Sequence, residues 1–214
     1  MQIDADLNLV FPIRYQEVER PDPKNPGKTL VDFQPLLWAY HTPISRQVFE
    51  SAYRLLAAVK DALCPVGNWS TSSTMIAALT LKDAGRRDAE QWGLAEGLTM
   101  EAGGSAQPLL AELKRLTTVL SPGATGYEAL PAELAISKKI ITEDEWMDAE
   151  SALVFFTCAS SLTQRGLRAA ISPAFAAALR GSTTSLTPTA FAASLAISTA
   201  PETSEVSAPS SVPS

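Results

Sequence analysis

The chain has 214 residues, a mass of 22.8 kDa and 46% hydrophobic residues, enough for one domain with a core of its own. A formal net charge of −6 and a pI near 4.9 argue against a nucleic-acid binder, which needs clustered Lys and Arg against phosphates. Two cysteines, Cys64 and Cys158, are too few for a disulfide framework. No run approaches the ~18–20 apolar residues of a membrane span, and MQIDADLNLV does not read as a signal peptide. A soluble, intracellular protein is expected.

Ile3, Ala5, Leu7, Leu9, Phe11 and Ile13 alternate with Asp4, Asp6, Asn8, Val10 and Pro12, the period of a strand with one wet face. Pro12 has no N–H to donate and ends that strand or places it at an edge. Residues 14–35, with four prolines and a Pro-Gly step, read as a long, mobile excursion. LLWAYH, ending at His41, is a second short strand able to pair antiparallel with the first.

Thr42-Pro43 opens a helix striped by Val48, Ala52, Leu55, Val59 and Leu63, and Cys64-Pro65 stops it. A second helix runs from about Ser72 to Trp92, with Met75, Ile76, Leu79 and Leu81 as its apolar part. Gly85 inside it costs about 1 kcal/mol relative to alanine, which predicts a bend or fraying. GLAEGLTMEAGGSAQ reads as a flexible link. A third helix spans Pro108 to Leu120, with Leu109, Leu113, Leu116 and Leu120 on one face, and Pro131 starts a short one through Lys138.

The segment Thr142 to Leu162 is the strongest helix signal. Thr142 and Glu145 form a capping box, and Glu143, Asp144 and Asp148 place negative charge on the first turns, where the dipole favours it. Trp146, Ala149, Leu153, Phe156 and Ser160 recur at steps of three and four, and Val154 and Phe155 widen the apolar face. Short helices over Pro173–Arg180 and Thr189–Leu195 follow, then a Ser- and Pro-rich end with the composition of a disordered tail. The expected architecture is mainly α: a helical, bundle-like body over 42–195, a short N-terminal β-hairpin with a mobile loop over 1–41, and a disordered tail over 196–214.

His41 is the only histidine. It could pair with Cys64 or Cys158 as a nucleophile couple, but the end of a strand before a helix cap is an ordinary place for a surface or cap-contacting imidazole. Structural zinc lacks its Cys and His ligands. The acids from Glu143 to Glu150 could attract a divalent cation, yet the capping box and the dipole already account for them. No GxSxG, Walker-type or GxGxxG pattern is present. No catalytic residue, cofactor or metal is expected.

Three runs carry a resemblance: AYHTPISRQVFESAYRLLAA (Ala39 to Ala58), AISKKIITEDEWMDAESALVFFTCAS (Ala135 to Ser160) and GSTTSLTPTAFAASL (Gly181 to Leu195). Together they resemble the tail assembly chaperones of long-tailed, siphovirus-like bacteriophages, in patterning over most of residues 1–195 and not in any chemical motif. The resemblance implies a protein without enzymatic activity that keeps the tape measure protein soluble and recruits the major tail (tube) protein. It implies action in the cytoplasm of the bacterial host, absence from the mature virion, and a possible self-oligomer. A holdase needs exposed apolar surface, and Trp38, Tyr40, Phe49 and Tyr53 are the expected contacts, unless they simply seal the hairpin onto the first helix. The alternative is a structural virion component, such as a tail-terminator or connector subunit.

Overall fold

The computed structural model describes residues 2–3, 7–25, 27–64, 73–92, 103–124, 126–161, 182–183, 191 and 195. The tail and most of the two C-terminal helices expected from sequence lie outside them. Among the described residues the elements are β1 (Gln2–Ile3), β2 (Leu9–Pro21), β3 (Thr29–His41), α1 (Arg46–Leu63), α2 (Ser73–Trp92), a 3-10 turn (Gly104–Ala106), α3 (Gln107–Arg115), β4 (Thr117–Gly123), β5 (Gly126–Pro131), α4 (Ala132–Ser137), α5 (Glu143–Ser161) and β6 (Ser182–Thr183). The strands form one sheet in the order β5-β4-β3-β2-β1-β6, antiparallel except where β1 meets β6.

The helix α5 begins with the capping box that its sequence announces. The Thr142 amide donates to Glu145 Oε2 at 2.8 Å, and the Glu145 amide donates to Thr142 Oγ1 at 3.1 Å. Past its first turn the helix is buried on nearly every side, as a segment apolar all round must be. Trp146, Ala149, Leu153 and Phe156 pack with Leu9, Phe11, Leu37, Ala39 and Val119 of the sheet. Val154, Phe155 and Cys158 pack with Leu55, Leu56 and Val59 of α1, Ala78 and Leu81 of α2, and Leu109 and Leu113 of α3. The result is a layered body: sheet, central helix, outer helices. Each Leu or Phe fully withdrawn from water contributes about 1.5–3 kcal/mol.

The mainly α, bundle-like architecture expected from the sequence is therefore wrong: the fold is mixed α/β. The sheet is built on β2 to β5, with the two-residue β1 and β6 at one side. The third helix stops at Arg115, and Thr117 to Gly123, read as its continuation and end, is strand β4. Thr117, Thr118 and Val119 are β-branched and suit a strand, while the leucines around them fit either period. Residues 14–35, read as a loop, are mostly ladder, because β2 and β3 are each 13 residues long. Residues 3–13, read as one strand, are divided between β1 and the start of β2, which pair with each other at Gln2–Val10 and Ile3–Leu9; the expected antiparallel pairing with the strand that ends at His41 is present from Leu9 onward. No helix among the described residues is long and apolar enough to cross a membrane.

Helix α2 also differs. Ala77, Ala78, Leu81 and Ala89 are buried, while Met75, Ile76 and Leu79 are exposed. Small residues turn inward because the neighbours come very close, and Gly85 is the extreme case. A Cβ there would stand 2.2 Å from the Gly103 carbonyl oxygen and 2.6 Å from Ala106 Cβ. Ser105 Oγ lies 3.1 Å from the Gly85 carbonyl oxygen and 2.7 Å from Asp88 Oδ2. Asp88 also meets Arg54 of α1 at 2.7 Å. Lys82 joins Glu150 of α5 at 2.6 Å, so the nearly buried carboxylate has its countercharge. Glycine is at position 85 for close approach, not as a point of fraying. Gly85→Ala gains about 1 kcal/mol of helix propensity but forces backbone apart, at a cost of roughly 1–3 kcal/mol. A net loss of stability is expected, read as a lower urea midpoint; a raised midpoint would contradict this packing.

Candidate functional site

Beyond the body the hairpin of β2 and β3 continues as a two-stranded arm. The strand β4 pairs with β3 only from Trp38 to His41, and β1 pairs with β2 only at Leu9 and Val10. The arm pairs Tyr15 with Pro35, Glu17 with Phe33, Glu19 with Val31 and Pro21 with Thr29 on one face. Gln16–Gln34, Val18–Asp32 and Arg20–Leu30 lie on the other, since opposed residues share a face. At its tip the Asp22 carboxylate accepts from the Lys24 amide at 2.8 Å and from Asn25 Nδ2 at 2.7 Å. Gly27 takes the positive φ of 97° that closes the turn.

At the base of the arm Arg14 ties β2 to the start of α5. The register shifts on either side of Arg14, and Ile13 has no Cα partner, the mark of a β-bulge that re-aims a side chain. Arg14 Nε and Nη2 reach Glu145 Oε1 and Oε2 at 2.5 and 2.7 Å, and Nη2 also donates to the Ile140 carbonyl at 3.0 Å. The carboxylate that caps α5 is thus the one that holds the arm. The hydrogen bonds from Arg14 keep the Glu145 carboxyl down to about 2.

One face of the arm is open and carries apolar side chains beside Glu17 and Glu19: Tyr15 is 53% exposed, Val31 56% and Phe33 61%. Lines of exposed apolar residues of this kind mark interaction surfaces. In the sequence these three are hidden because the prolines at 21, 23, 26 and 35 outweigh a short alternation. The signal was Tyr15-x-Glu17-x-Glu19 facing Val31-x-Phe33, with a Pro-Gly turn between.

The four aromatics expected to contact a partner fall into two places. Tyr40, 7% exposed, belongs to the cluster of Val10, Leu120 and Phe191 on the sheet face away from α5, and half-buried Trp38 packs against it. Trp38 meets the Phe191 ring edge-on at 5.1 Å. Phe49 is partly buried against the helical core and meets Tyr53 edge-on at 5.7 Å. Tyr53 is 54% exposed. Trp38, Tyr40 and Phe49 thus have packing roles, and truncating Tyr40 would open a hole beside the sheet.

His41 is wholly buried, unlike the surface imidazole expected. Thr117 Oγ1 gives its one proton to the Leu113 carbonyl at 2.7 Å. It must therefore accept from His41 Nδ1, 3.0 Å away, which puts the imidazole proton on Nδ1. His41 Nε2 is buried without a partner among the described residues. Burial pushes the imidazole down to about 4 and the Cys158 thiol up to about 12. A reactive couple needs a stabilised thiolate and imidazolium, and both groups are pushed the opposite way. Of the acidic run, Glu145 is committed to Arg14 and Glu150 to Lys82. Among the described residues no group of three or more His, Cys, Asp or Glu is placed to hold a metal ion.

Comparison of the chain with known protein families, with curated proteins and with solved structures finds no match.

The His41 environment makes acid sensitivity predictable. Between 6.5 and about 4 the unfolded chain takes up a proton that the folded chain refuses, so stability falls as pH drops through that window. The loss is about 3 kcal/mol across it. In His41→Asn the slope of the urea midpoint between pH 6.5 and 4.5 should flatten. An unchanged slope would place the sensitivity elsewhere. Glu145 works lower down: its contribution is present above its ordinary 4.5 and is lost as pH falls toward 2.

Proposed function

We propose that this protein holds another polypeptide, in the manner of the tail assembly chaperones of long-tailed phages, with the tape measure protein as client and tail tube subunits as recruits. The observation that supports this best is the arm, a projecting β-hairpin that exposes Tyr15, Val31 and Phe33 on one face. Water-exposed aromatic and β-branched side chains in a row are costly to leave bare and favourable to cover. A net charge of −6 keeps such a surface from self-aggregation. The client contact moves from Trp38 and Tyr40, which pack the sheet, to the arm; exposed Tyr53 remains a possible second contact. On this reading the protein works in the host cytoplasm and leaves before the virion matures.

Exposure makes the contact testable without damage to the core. Tyr15→Ser, Val31→Ser and Phe33→Ser together should leave thermal stability within a few degrees of the parent. In co-expression with the tape measure protein of the same genome, the triple variant should capture at least tenfold less client. Equal capture would remove the arm as the contact. Detection of the protein in purified virions by mass spectrometry would instead favour a structural component of the particle.

A further inference from the structure

The outer edge of β2 from Tyr15 to Glu19 has no strand beside it among the described residues, since β1 meets only Leu9 and Val10. In an antiparallel ladder alternate residues turn both N–H and C=O away from their partner strand. Pro35 and Pro21, which have no N–H to give, sit in the pairs Tyr15–Pro35 and Pro21–Thr29, two members of the same alternation. Strand prolines occupy positions whose N–H side faces outward, so this alternation is the outward-facing one. Tyr15, Glu17 and Glu19 therefore offer their backbone groups to the open side. Their side chains share a face with Phe33 and Val31.

We infer that this edge accepts an extended segment of another polypeptide as an added antiparallel strand, in which Lys or Arg alternates with apolar residues. The inference rests on the chain-holding reading above and supplies the chemistry of the segment held. Residues of an added strand directly opposite Glu17 and Glu19 would stand about 4.5–5.5 Å away between Cβ atoms. Both carboxylates are exposed and form no ion pair among the described residues, so two cations at alternate positions complete them. The intervening residue falls opposite Val18, where an apolar side chain fits. Main-chain hydrogen bonds supply affinity in this mode and the alternate side chains supply selectivity. A second copy of this chain is a poor occupant of the β2 edge. Two such edges related by a two-fold axis oppose carboxylates whether the centre lies at Glu17, Val18 or Glu19, and like charges directly opposite destabilise a ladder.

The test uses the full chain and fluorescein-labelled nine-residue peptides in fluorescence anisotropy. The peptide alternating Lys and Val should bind at least tenfold more tightly than the one alternating Glu and Val. Glu17→Lys with Glu19→Lys, on an exposed strand, should reverse that preference while the thermal midpoint holds. Two further Lys–Val peptides carry N-methyl groups on alternate backbone nitrogens, one in each phase. Methylation in the phase that faces β2 should weaken binding at least tenfold, and the other phase should not. Equal binding by both methylated peptides, or a charge-reversed variant that still prefers the Lys peptide, would overturn the added strand. So would sedimentation showing a dimer that the double substitution abolishes, which would give the edge to a second copy. Client capture in the Tyr15, Val31 and Phe33 experiment is read separately, so failure here leaves the chain-holding reading standing, and failure there leaves the peptide result to be judged by itself.

Discussion

The rest of the molecule depends on the burial of α5 from two sides. Its Leu153 and Phe156 are sealed by the sheet, and its Val154 and Phe155 by α1 to α3. Neither the sheet nor the outer helices could satisfy their apolar faces alone: four strands leave one face uncovered, and three helices leave a shared seam. Sandwiching one apolar helix solves both problems at once. The same geometry explains the small Ala77 and Ala78 of α2, which lie in that seam, while Gly85 lets α2 approach the 3-10 turn at Gly103 and Ala106. It also explains the Lys82–Glu150 pair, which carries charge into that seam only because each partner neutralises the other.

The arm is an extension of this core, and Arg14 ties its base to the Glu145 carboxylate and to the Ile140 carbonyl. Glu145 closes the capping box with Thr142 and accepts both guanidinium bonds from Arg14. A bidentate pair of this kind fixes direction as well as distance. The bulge at Ile13 is what brings Arg14 to the helix end, so the angle at which the arm leaves the body is set where α5 begins. Beyond that point the two strands pair only with each other among the described residues. An isolated hairpin is marginal in water, and covering its open edge and apolar side chains would stabilise it. The division between the firm body and the unsatisfied projection falls at Arg14.

Elements whose signals are local are legible in the residues alone. The capping box of α5, the stripe of α1 and the short α4 after Pro131 depend on residues within a few positions of one another, where propensity and period speak for themselves; in the pairing of β2 with β3, which joins residues as distant as Leu9 and His41, only the alternation of each strand is local. The sequence could not decide β4, because Leu116, Val119 and Leu120 satisfy a helix and a strand alike; the neighbouring edge of β3 at Trp38 to His41 selects the strand. Nor could it tell that Gly85 answers to Gly103 and Ala106, that His41 points inward to Thr117, or that Arg14 meets Glu145. The candidate surface was hidden for the same reason. Tyr15, Val31 and Phe33 look like any strand residues until the sheet ends short of them and leaves them in water. Those features arise from contacts between segments far apart in the chain, and only tertiary packing brings such segments together.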